Sequence, residues 1–291
     1  MNILKFRMLL LIERYKKATI VAEQLGMKQP TVSFHMKKME EEWGIKLFEY
    51  KAGKIILTEA GRLVHHYAQR IVAGSDEAMA RVRQMKRYGR GSLVIGCTDT
   101  ALDALPDPPW LTLAASREEP LYHVRTGEHE ALMDMLDEGR LDLLLTAQGE
   151  PESSRYQMQT ILESPLALFV SESHPLVYAD GQLGGVHLTA YPYLMLEDRS
   201  VAEAMMVWEA EQGLSLQPQL YADRCALLID SLRRSQGIAI LPEAAVAKET
   251  PGLRRLPLPG RAPLWRLQVL VPKQHWNLPL LGQTVERLRQ G

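Results

Sequence analysis

Residues 22–33 read AEQLGMKQPTVS, and this stretch decides the fold of the amino-terminal part of the chain. A short apolar-periodic segment ends at Gly26, a residue that tolerates positive φ and therefore ends helices. The next segment opens at Gln29-Pro30, where proline is favoured because the first helical N–H has no intrahelical partner. The stretch predicts two helices joined by a tight glycine turn, which is a helix-turn-helix.

Apolar residues recur at helical spacing on both sides of this turn. Residues such as Phe6, Leu9 and Ile12 predict a helix before it. In the helix from Gln29, residues at i, i+4, i+7 and i+11 are expected to face the core, namely Val32, Met36, Met39 and Trp43. A helix of this length with a polar amino-terminal face can enter a DNA major groove, which is about 12 Å wide.

A hairpin-like segment follows at residues 50–57, with Gly53 at its tip and Lys51 and Lys54 on either side. This pattern is typical of a wing, whose lysines could pair with DNA phosphates.

Thr58 is a good N-cap for a long helix that runs to about Tyr88 without a proline. Its seam alternates at spacings of four and three through Ala60, Val64, Tyr67, Ile71, Ser75, Ala78, Val82 and Met85. Thirty helical residues span about 45 Å, so such a stripe must be buried on something. It could pack against the chain's own domains, but the heptad pattern favours a partner copy and a two-fold dimer that reads two half-sites.

Charge divides the chain in two. Residues 1–90 contain 18 Lys and Arg against 9 Asp and Glu, and the remainder contains 16 against 26. A basic segment at residues 1–90 followed by an acidic remainder indicates that the basic segment binds a polyanion. No apolar run is long enough to span a membrane, and the start lacks a signal-peptide cleavage pattern. Two cysteines without CxxC spacing fit a reduced, cytoplasmic protein.

The acidic part of the chain begins after a turn-rich segment at residues 88–92. Short apolar segments then alternate with helical ones, which predicts a largely parallel sheet with ligand loops at the carboxyl ends of its strands. The expected strands are residues 93–97, 121–125, 142–146, 165–170, 193–196, 219–222, 237–242 and 264–271. The expected helices are residues 110–115, a segment around 131–136, 201–211, 226–234 and 280–289.

Three elements in fixed order resemble the LysR family of bacterial transcriptional regulators. They are residues 22–33 quoted above, residues 39–48, MEEEWGIKLF, and residues 57–61, LTEAG. Met39 stands where the family usually has Leu. The resemblance covers about sixty contiguous residues and extends less specifically over nearly the whole chain, through Gly139-x-Leu-Asp142 and residues 236–242.

The resemblance implies DNA-contacting positions in the third helix and the wing. They are Gln29, Pro30, Thr31, Ser33, Phe34, His35, Lys37, Lys51 and Lys54. Two residues depart from the family pattern: Phe34 occupies a position that is often polar or basic, and Tyr50 stands where Arg is usual. A phenyl ring can touch a thymine methyl but cannot read guanine bidentately.

The family resemblance also implies the fold class: an amino-terminal winged helix-turn-helix, all-α with a small β wing, a long linker helix, and a two-lobed α/β effector domain like a periplasmic binding protein. We expect a DNA-binding domain at 1–58, a linker and dimerisation helix at 59–88, and an effector-binding domain at 89–291. Lobe I would comprise about 91–161 and 265–291, and lobe II about 162–264.

A cleft between the lobes would hold a small-molecule effector whose binding shifts the lobes between two states. Candidate effector-binding residues are Thr98, Asp99, Thr100, Thr126, Thr146 and Arg199. Hydroxyls and free N–H groups at a helix start suit an anionic metabolite. Asp99 argues against an anion unless it points elsewhere, and Arg199 could restore the balance.

Other functions have weaker support in the sequence. No GxSxG, HExxH or P-loop motif occurs, so an enzyme, a metal site and a cofactor are not expected. One alternative is a redox sensor of the same fold that uses Cys97 and Cys225. Another is an architectural DNA binder without an effector. The sequence favours a cytoplasmic transcriptional regulator, homodimeric through the long helix and tetrameric on double-stranded DNA.

Overall fold

The computed structural model describes residues 2–88, 91–106, 108, 110, 120–149, 155–179 and 184–290. The chain forms two compact units, Met1–Gly89 and Arg90–Gly291. Most of the helix expected at residues 110–115 and the centre of the turn expected at residues 88–92 lie outside the described residues.

The first unit is helical with one small hairpin. Its elements are α1 (Ile3–Tyr15), α2 (Ala18–Gln24), α3 (Gln29–Trp43), β1 (Phe48–Lys51), β2 (Lys54–Leu57) and α4 (Glu59–Tyr88). The expected helix-turn-helix is confirmed: Gly26 joins α2 to α3 at φ 63°, and Gly44 caps α3 at φ 66°. Both angles lie in the left-handed region that glycine adopts without strain.

The core of this unit lies between α1, α2, α3 and the start of α4. Val32, Met36 and Met39 of α3 are buried in it as expected, but Trp43 is 40% exposed, so its predicted place in the core is wrong. Trp43 has the correct angular position, but it lies about 16 Å along the helix axis from Val32. The last turn of α3 therefore projects past the packed layer.

The carboxylate of Glu40 ties α3 to the wing. Its Oε1 accepts hydrogen bonds from the backbone N–H of Leu47 at 2.9 Å and of Phe48 at 3.1 Å. Its Oε2 pairs with Lys46 Nζ at 3.0 Å. Burial alone would raise the pKa of Glu40, but these hydrogen bonds and the lysine charge outweigh it and hold the pKa below its usual value.

Thr58 joins the wing to α4. Its hydroxyl donates to the carbonyl oxygen of Lys46 at 2.7 Å and accepts from the N–H of Gly61 at 3.0 Å, so it is the N-cap that the sequence predicts. A Cβ at Gly61 would collide with the carbonyl oxygen of Leu47. The motif LTEAG therefore combines a cap with a close backbone approach.

The wing is an antiparallel hairpin in which Lys51 pairs with Lys54 across the turn. Ala52 and Gly53 have φ of 50° and 72°, values that the right-handed twist of a two-residue hairpin turn requires. The two lysines are thereby placed side by side at the tip, where both side chains are exposed.

Helix α4 runs for 30 residues and carries two apolar faces. Val64, Ala68 and Val72 are buried against the core of the first unit. Val64 was expected in the intermolecular seam, and that expectation is wrong because the residue packs within its own unit. A second set of apolar side chains is exposed within this unit: Leu63, Tyr67, Ile71, Met79 and Val82. In the described part of the chain, no helix combines the length and apolarity that a membrane crossing needs.

The second unit contains nine strands and six α-helices among the residues described. The strands are β3 (Ser92–Cys97), β4 (Leu121–Thr126), β5 (Leu143–Thr146), β6 (Tyr156–Ser171), β7 (Tyr193–Leu196), β8 (Pro218–Ala222), β9 (Ala239–Pro242), β10 (Leu253–Leu256) and β11 (Leu264–Pro272). The helices are α5 (Asp99–Ala104), α6 (His129–Asp137), α7 (Gly185–Leu188), α8 (Arg199–Gln212), α9 (Cys225–Arg233) and α10 (Leu278–Gln290).

The sheet of this unit is mixed, so the expected largely parallel sheet is wrong. Seven of the unit's strands form one sheet in the order β10-β6-β11-β5-β3-β4, with β9 also paired to β6, and β7 and β8 form a separate parallel pair. Strand β3 is parallel to β4 and β5, whereas β11 is antiparallel to β5 and β6. A strand that returns late in the chain can enter a sheet in either direction, and the apolar pattern of β11 does not encode which.

Strand β6 is 16 residues long and connects the two lobes of the unit. The sequence predicts only its second half, because the first half is mostly polar and partly exposed. The register with β11 shifts between Leu267 and Gln268, which marks a β-bulge where the paired strands bend. The lobes are thus joined by continuous sheet rather than by loops alone.

The Glu40 contacts give the first prediction. Glu40→Gln keeps the shape but removes the charge, and we expect it to lower the free energy of unfolding by about 2 kcal/mol at pH 7. Because the folded pKa lies below the usual value, this stabilisation is present at neutral pH and is lost as pH falls from about 4.5 through the folded pKa. Urea titrations of both proteins should therefore converge at low pH.

Hydrogen exchange of the full chain localises the effect. The backbone amides of Leu47 and Phe48 should exchange faster in the Glu40→Gln variant, since they lose a charged acceptor. Glu41→Gln is the matched control because its exposed carboxylate lies 3.7 Å from Lys37 Nζ. Equal protection of both amides in the variant and the parent would contradict the role assigned to Glu40.

Candidate DNA interface and ligand cleft

The outward face of α3 carries the expected DNA-contacting residues. Gln29, Pro30, Thr31, Phe34 and Lys37 are exposed, and Ser33 and His35 are half-buried. At about 100° per residue, the face that holds Pro30, Phe34 and Lys37 lies opposite the buried face. Within the first unit this face is turned to solvent.

Local contacts order the side chains at the start of α3. Gln29 Nε2 donates to Ser33 Oγ at 2.8 Å, one helical turn along. The rings of Phe34 and His35 lie edge to face, with centroids 5.8 Å apart and planes at 65°. His35 Nδ1 is buried and makes no hydrogen bond with any described residue, so the imidazole has an unused polar atom.

The wing presents its charges to solvent beside this helix. Lys51 Nζ lies 3.2 Å from Glu49 Oε2, and the side chain of Lys54 is exposed. Exposed ion pairs of this kind are weak, so Lys51 can exchange its carboxylate for a phosphate. Tyr50, which departs from the family pattern, is 70% exposed.

A groove of about 440 Å³ joins α3 to the wing. It is lined by Ser33, Met36, Lys37, Glu40, Lys46, Phe48, Glu49 and Tyr50. The groove brings Ser33 and Lys37 of the expected set together with Tyr50. It also adds Lys46, which the sequence analysis did not select. The sequence feature that could have identified Lys46 as a groove residue is its position directly before the buried Leu47-Phe48 pair.

In the second unit, several expected ligand residues meet at one edge of the sheet. Cys97 pairs with Thr126 and with Leu145 in the parallel register, so Thr98 and Thr146 follow at the carboxyl ends of β3 and β5. Carboxyl ends of parallel strands are where open α/β sheets bind ligands.

These threonines differ in what their hydroxyls can reach. Thr126 is exposed at the end of β4, whereas Thr98, Thr100 and Thr146 are buried. The Thr146 hydroxyl accepts from the N–H of Gln148 at 3.1 Å and lies 3.0 Å from His129 Nδ1. The Thr146 hydroxyl therefore already has hydrogen-bonding partners within the protein.

The arginine that lies beside Asp99 is Arg224, with 4.0 Å between Nη2 and Oδ1. Arg224 is the N-cap residue of α9 and its side chain is largely exposed. The expected partner, Arg199, pairs instead with Glu203 along α8 at 2.9 Å. The sequence analysis missed Arg224, although it follows β8 in the same way that Asp99 follows β3.

Both thiols are shielded from solvent. Burial raises the pKa of Cys97, and the charges of Asp99 and Asp103 raise it further. Burial likewise raises the pKa of Cys225, with Asp103 adding to the shift. Because the thiolate is the reactive form, neither cysteine is activated at neutral pH. Among the described residues, no group of three or more His, Cys, Asp or Glu side chains is placed to hold a metal ion.

Comparisons with known proteins cover both units. The family model "Bacterial regulatory helix-turn-helix protein, lysR family" matches residues 3–62, and "LysR substrate binding domain" matches residues 86–291. The RuBisCO operon transcriptional regulator of Allochromatium vinosum is 26% identical over 232 residues, which are 79% of this chain and 76% of that protein. A hydrogen peroxide-inducible genes activator of Haemophilus influenzae is 26% identical over 251 residues, 86% of this chain and 82% of that protein.

Two solved structures share the fold. Vibrio fischeri DarR in complex with DNA aligns with a TM-score of 0.66 at 18% identity, covering 99% of this chain and 98% of that chain. CbnR, a LysR family transcriptional regulator, aligns with a TM-score of 0.56 at 18% identity, covering 99% and 100%. With a helix-turn-helix and a substrate-binding domain that together match most of its length, the chain belongs to the LysR family of bacterial transcriptional regulators.

Proposed function

We propose that the outward face of α3 reads duplex DNA in the major groove while the wing lysines hold phosphates. The observation that carries this proposal is the solvent-facing side of α3, which lies opposite the buried Val32, Met36 and Met39 and is flanked by exposed or half-buried polar side chains. Gln29 and Ser33 can bond to base edges or phosphates, and Lys37, Lys51 and Lys54 can neutralise phosphates. Pro30, Thr31, Phe34 and His35 complete the contact surface.

The same proposal assigns DNA binding to residues 1–58, dimerisation to the helix at 59–88 and effector binding to residues 89–291. Homodimerisation is supported by the apolar side chains of α4 that its own unit leaves exposed, and tetramers on DNA would bring two such dimers together. The exposed stripe at Leu63, Tyr67 and Ile71 has the four-residue spacing of one helix face. A homodimer places two copies of α3 on two half-sites.

For the second unit, we propose that a small anionic metabolite binds at the carboxyl edge of β3 and β4. Thr98, Asp99 and Thr126 lie there, and Arg224 supplies a cation. A carboxylate that binds there would pair with Arg224 in place of Asp99. Effector binding would therefore break the Asp99–Arg224 contact. Thr100 and Thr146 are buried, the Thr146 hydroxyl accepts from the N–H of Gln148, and Arg199 pairs with Glu203.

The remaining alternatives have less support. Relatives named hydrogen peroxide-inducible genes activators belong to the same family, but the raised pKa values of Cys97 and Cys225 disfavour oxidation of this chain. An architectural binder would have no use for the Asp99–Arg224 contact. We propose that the chain catalyses no reaction and acts in the cytoplasm, where bacterial DNA lies.

Sequence-specific recognition by α3 is tested with the double variant Ser33→Ala and His35→Ala. We expect affinity for a duplex selected from a random library to fall at least tenfold, because each lost base contact costs about 1–3 kcal/mol. Affinity for random DNA should change little. Fluorescence anisotropy measures both, with Gln69→Ala on α4 as an exposed control. Equal losses on both duplexes would refute base reading by these two residues.

Phosphate contacts by the wing are tested with Lys51→Ala combined with Lys54→Ala. This variant should bind all sequences more weakly, and the slope of log affinity against log salt should become shallower by about two. Lys248→Ala with Lys273→Ala, two exposed lysines of the second unit, is the charge-matched control. A slope that matches the parent protein would remove the wing from the interface.

Effector binding is tested by thermal shift of the full chain against organic acids, amines and sugars. A carboxylate at 100 times its dissociation constant should stabilise the protein by about 2.7 kcal/mol. Arg224→Ala should abolish that shift, whereas Arg234→Ala, an exposed arginine at the other end of α9, should retain it. An amine that stabilises in place of every acid would contradict the anionic effector, and no stabilisation by any compound would favour the architectural binder.

A further inference from the structure

Phe34 is the large apolar side chain at the centre of the outward face of α3. It is 60% exposed and lies between Pro30, four residues before it, and Lys37, three residues after it. At about 100° per residue, its direction is nearly opposite to that of the buried Val32 and Met39. The ring therefore points away from the core of its own unit.

The surroundings of Phe34 are polar. Ser33, the residue before Phe34, accepts a hydrogen bond from Gln29 one helical turn earlier. Lys37 carries a charge on the same face as Phe34. The neighbouring His35 ring meets Phe34 edge to face at 5.8 Å, a geometry that aromatic pairs favour. Phe34 is thus an exposed apolar side chain of defined orientation, with Ser33, His35 and Lys37 as its polar neighbours.

A single exposed apolar side chain needs no explanation on an ordinary surface. Phe34 lies where the proposed function places the floor of the major groove. A phenyl ring at that position can contact few of the groups that the bases present. A phenyl ring has no donor or acceptor, so it cannot match the N7 and O6 of guanine or the amino groups of adenine and cytosine. The C5 methyl of thymine is the apolar group that the bases present in this groove.

We propose that Phe34 is a specificity-determining residue that contacts a thymine methyl in each half-site of the operator. This inference rests on the proposed function of α3 and adds the base feature that the helix selects. The contact is a hydrophobic one, so it distinguishes thymine from uracil as well as from cytosine. The same methyl occurs in 5-methylcytosine, and the ring should accept it there.

The test removes the methyl without altering base pairing. The full-length protein selects a duplex from a random library, and each thymine of that duplex is then replaced singly by deoxyuridine. Burying one methyl is expected to contribute about fourfold to affinity. The parent protein should therefore lose about fourfold at one thymine per half-site, and about fifteenfold when both half-sites are replaced.

Phe34→Ala closes the thermodynamic cycle. It should bind the thymine and deoxyuridine duplexes equally, while Phe34→Leu, which keeps an apolar tip, should restore part of the difference. Lys37→Ala is the matched control on the same face: it should bind more weakly but preserve the fourfold ratio. Replacing the critical thymine by cytosine should weaken binding, and 5-methylcytosine at that position should recover about fourfold.

Two results would overturn the inference while leaving DNA recognition intact. One is a parent protein that is insensitive to deoxyuridine at every thymine of the selected duplex. The other is a Phe34→Ala protein that still discriminates at the same position, because the methyl would then contact a different residue. Failure to enrich any duplex would count against the proposed function itself, and the inference would fall with it.

Discussion

The carboxylate of Glu40 is the contact on which the DNA-facing surface depends. It holds the backbone amides of Leu47 and Phe48 and the ammonium of Lys46, and so fixes the start of the wing to the last turn of α3. The carbonyl oxygens of Lys46 and Leu47 then accept from the Thr58 hydroxyl and the Thr58 N–H. The Glu40 carboxylate thereby links α3, the wing and the start of α4. A fixed separation between α3 and the wing lets both contact the same DNA duplex.

The second unit has buried polar contacts, such as His275 Nε2 to Asp142 Oδ1 at 2.8 Å, but the contact that we propose for the effector lies at the carboxyl edge of the strands. Strand β6 runs without interruption from Tyr156 to Ser171, and its unpaired residue Ile161, opposite Leu267 and Gln268 of β11, forms the bulge where the pair bends. The Asp99–Arg224 contact spans 4.0 Å, and the arginine side chain is 63% exposed while that of Asp99 is 27% exposed, so the pair is long, partly screened by water and weak.

Much of the first unit could be predicted from the sequence because its signals are local. Gly26 and Gly44 end helices, Thr58 caps the helix that begins at the next residue, and α3 begins at the Gln29-Pro30 pair as expected. The antiparallel entry of β11 and the role of Arg224 depend on residues far apart in the chain, and local pattern does not encode them. Trp43 satisfied the helical period but not the axial extent of the core, so periodicity alone placed it wrongly.

Helix α4 shows why one apolar period can serve two purposes. Val64, Ala68 and Val72 recur every four residues and are buried in the first unit, while Leu63, Tyr67 and Ile71 recur at the same spacing one residue earlier and remain exposed. The two rows are offset by about 100° around the helix, so a single seam read from the sequence mixes members of both. Packing of α1 on one row decides which row is left for a partner. The packing of the first unit thus determines which apolar row stays exposed, and under the proposed dimerisation through α4 it would also set the spacing between the two copies of α3.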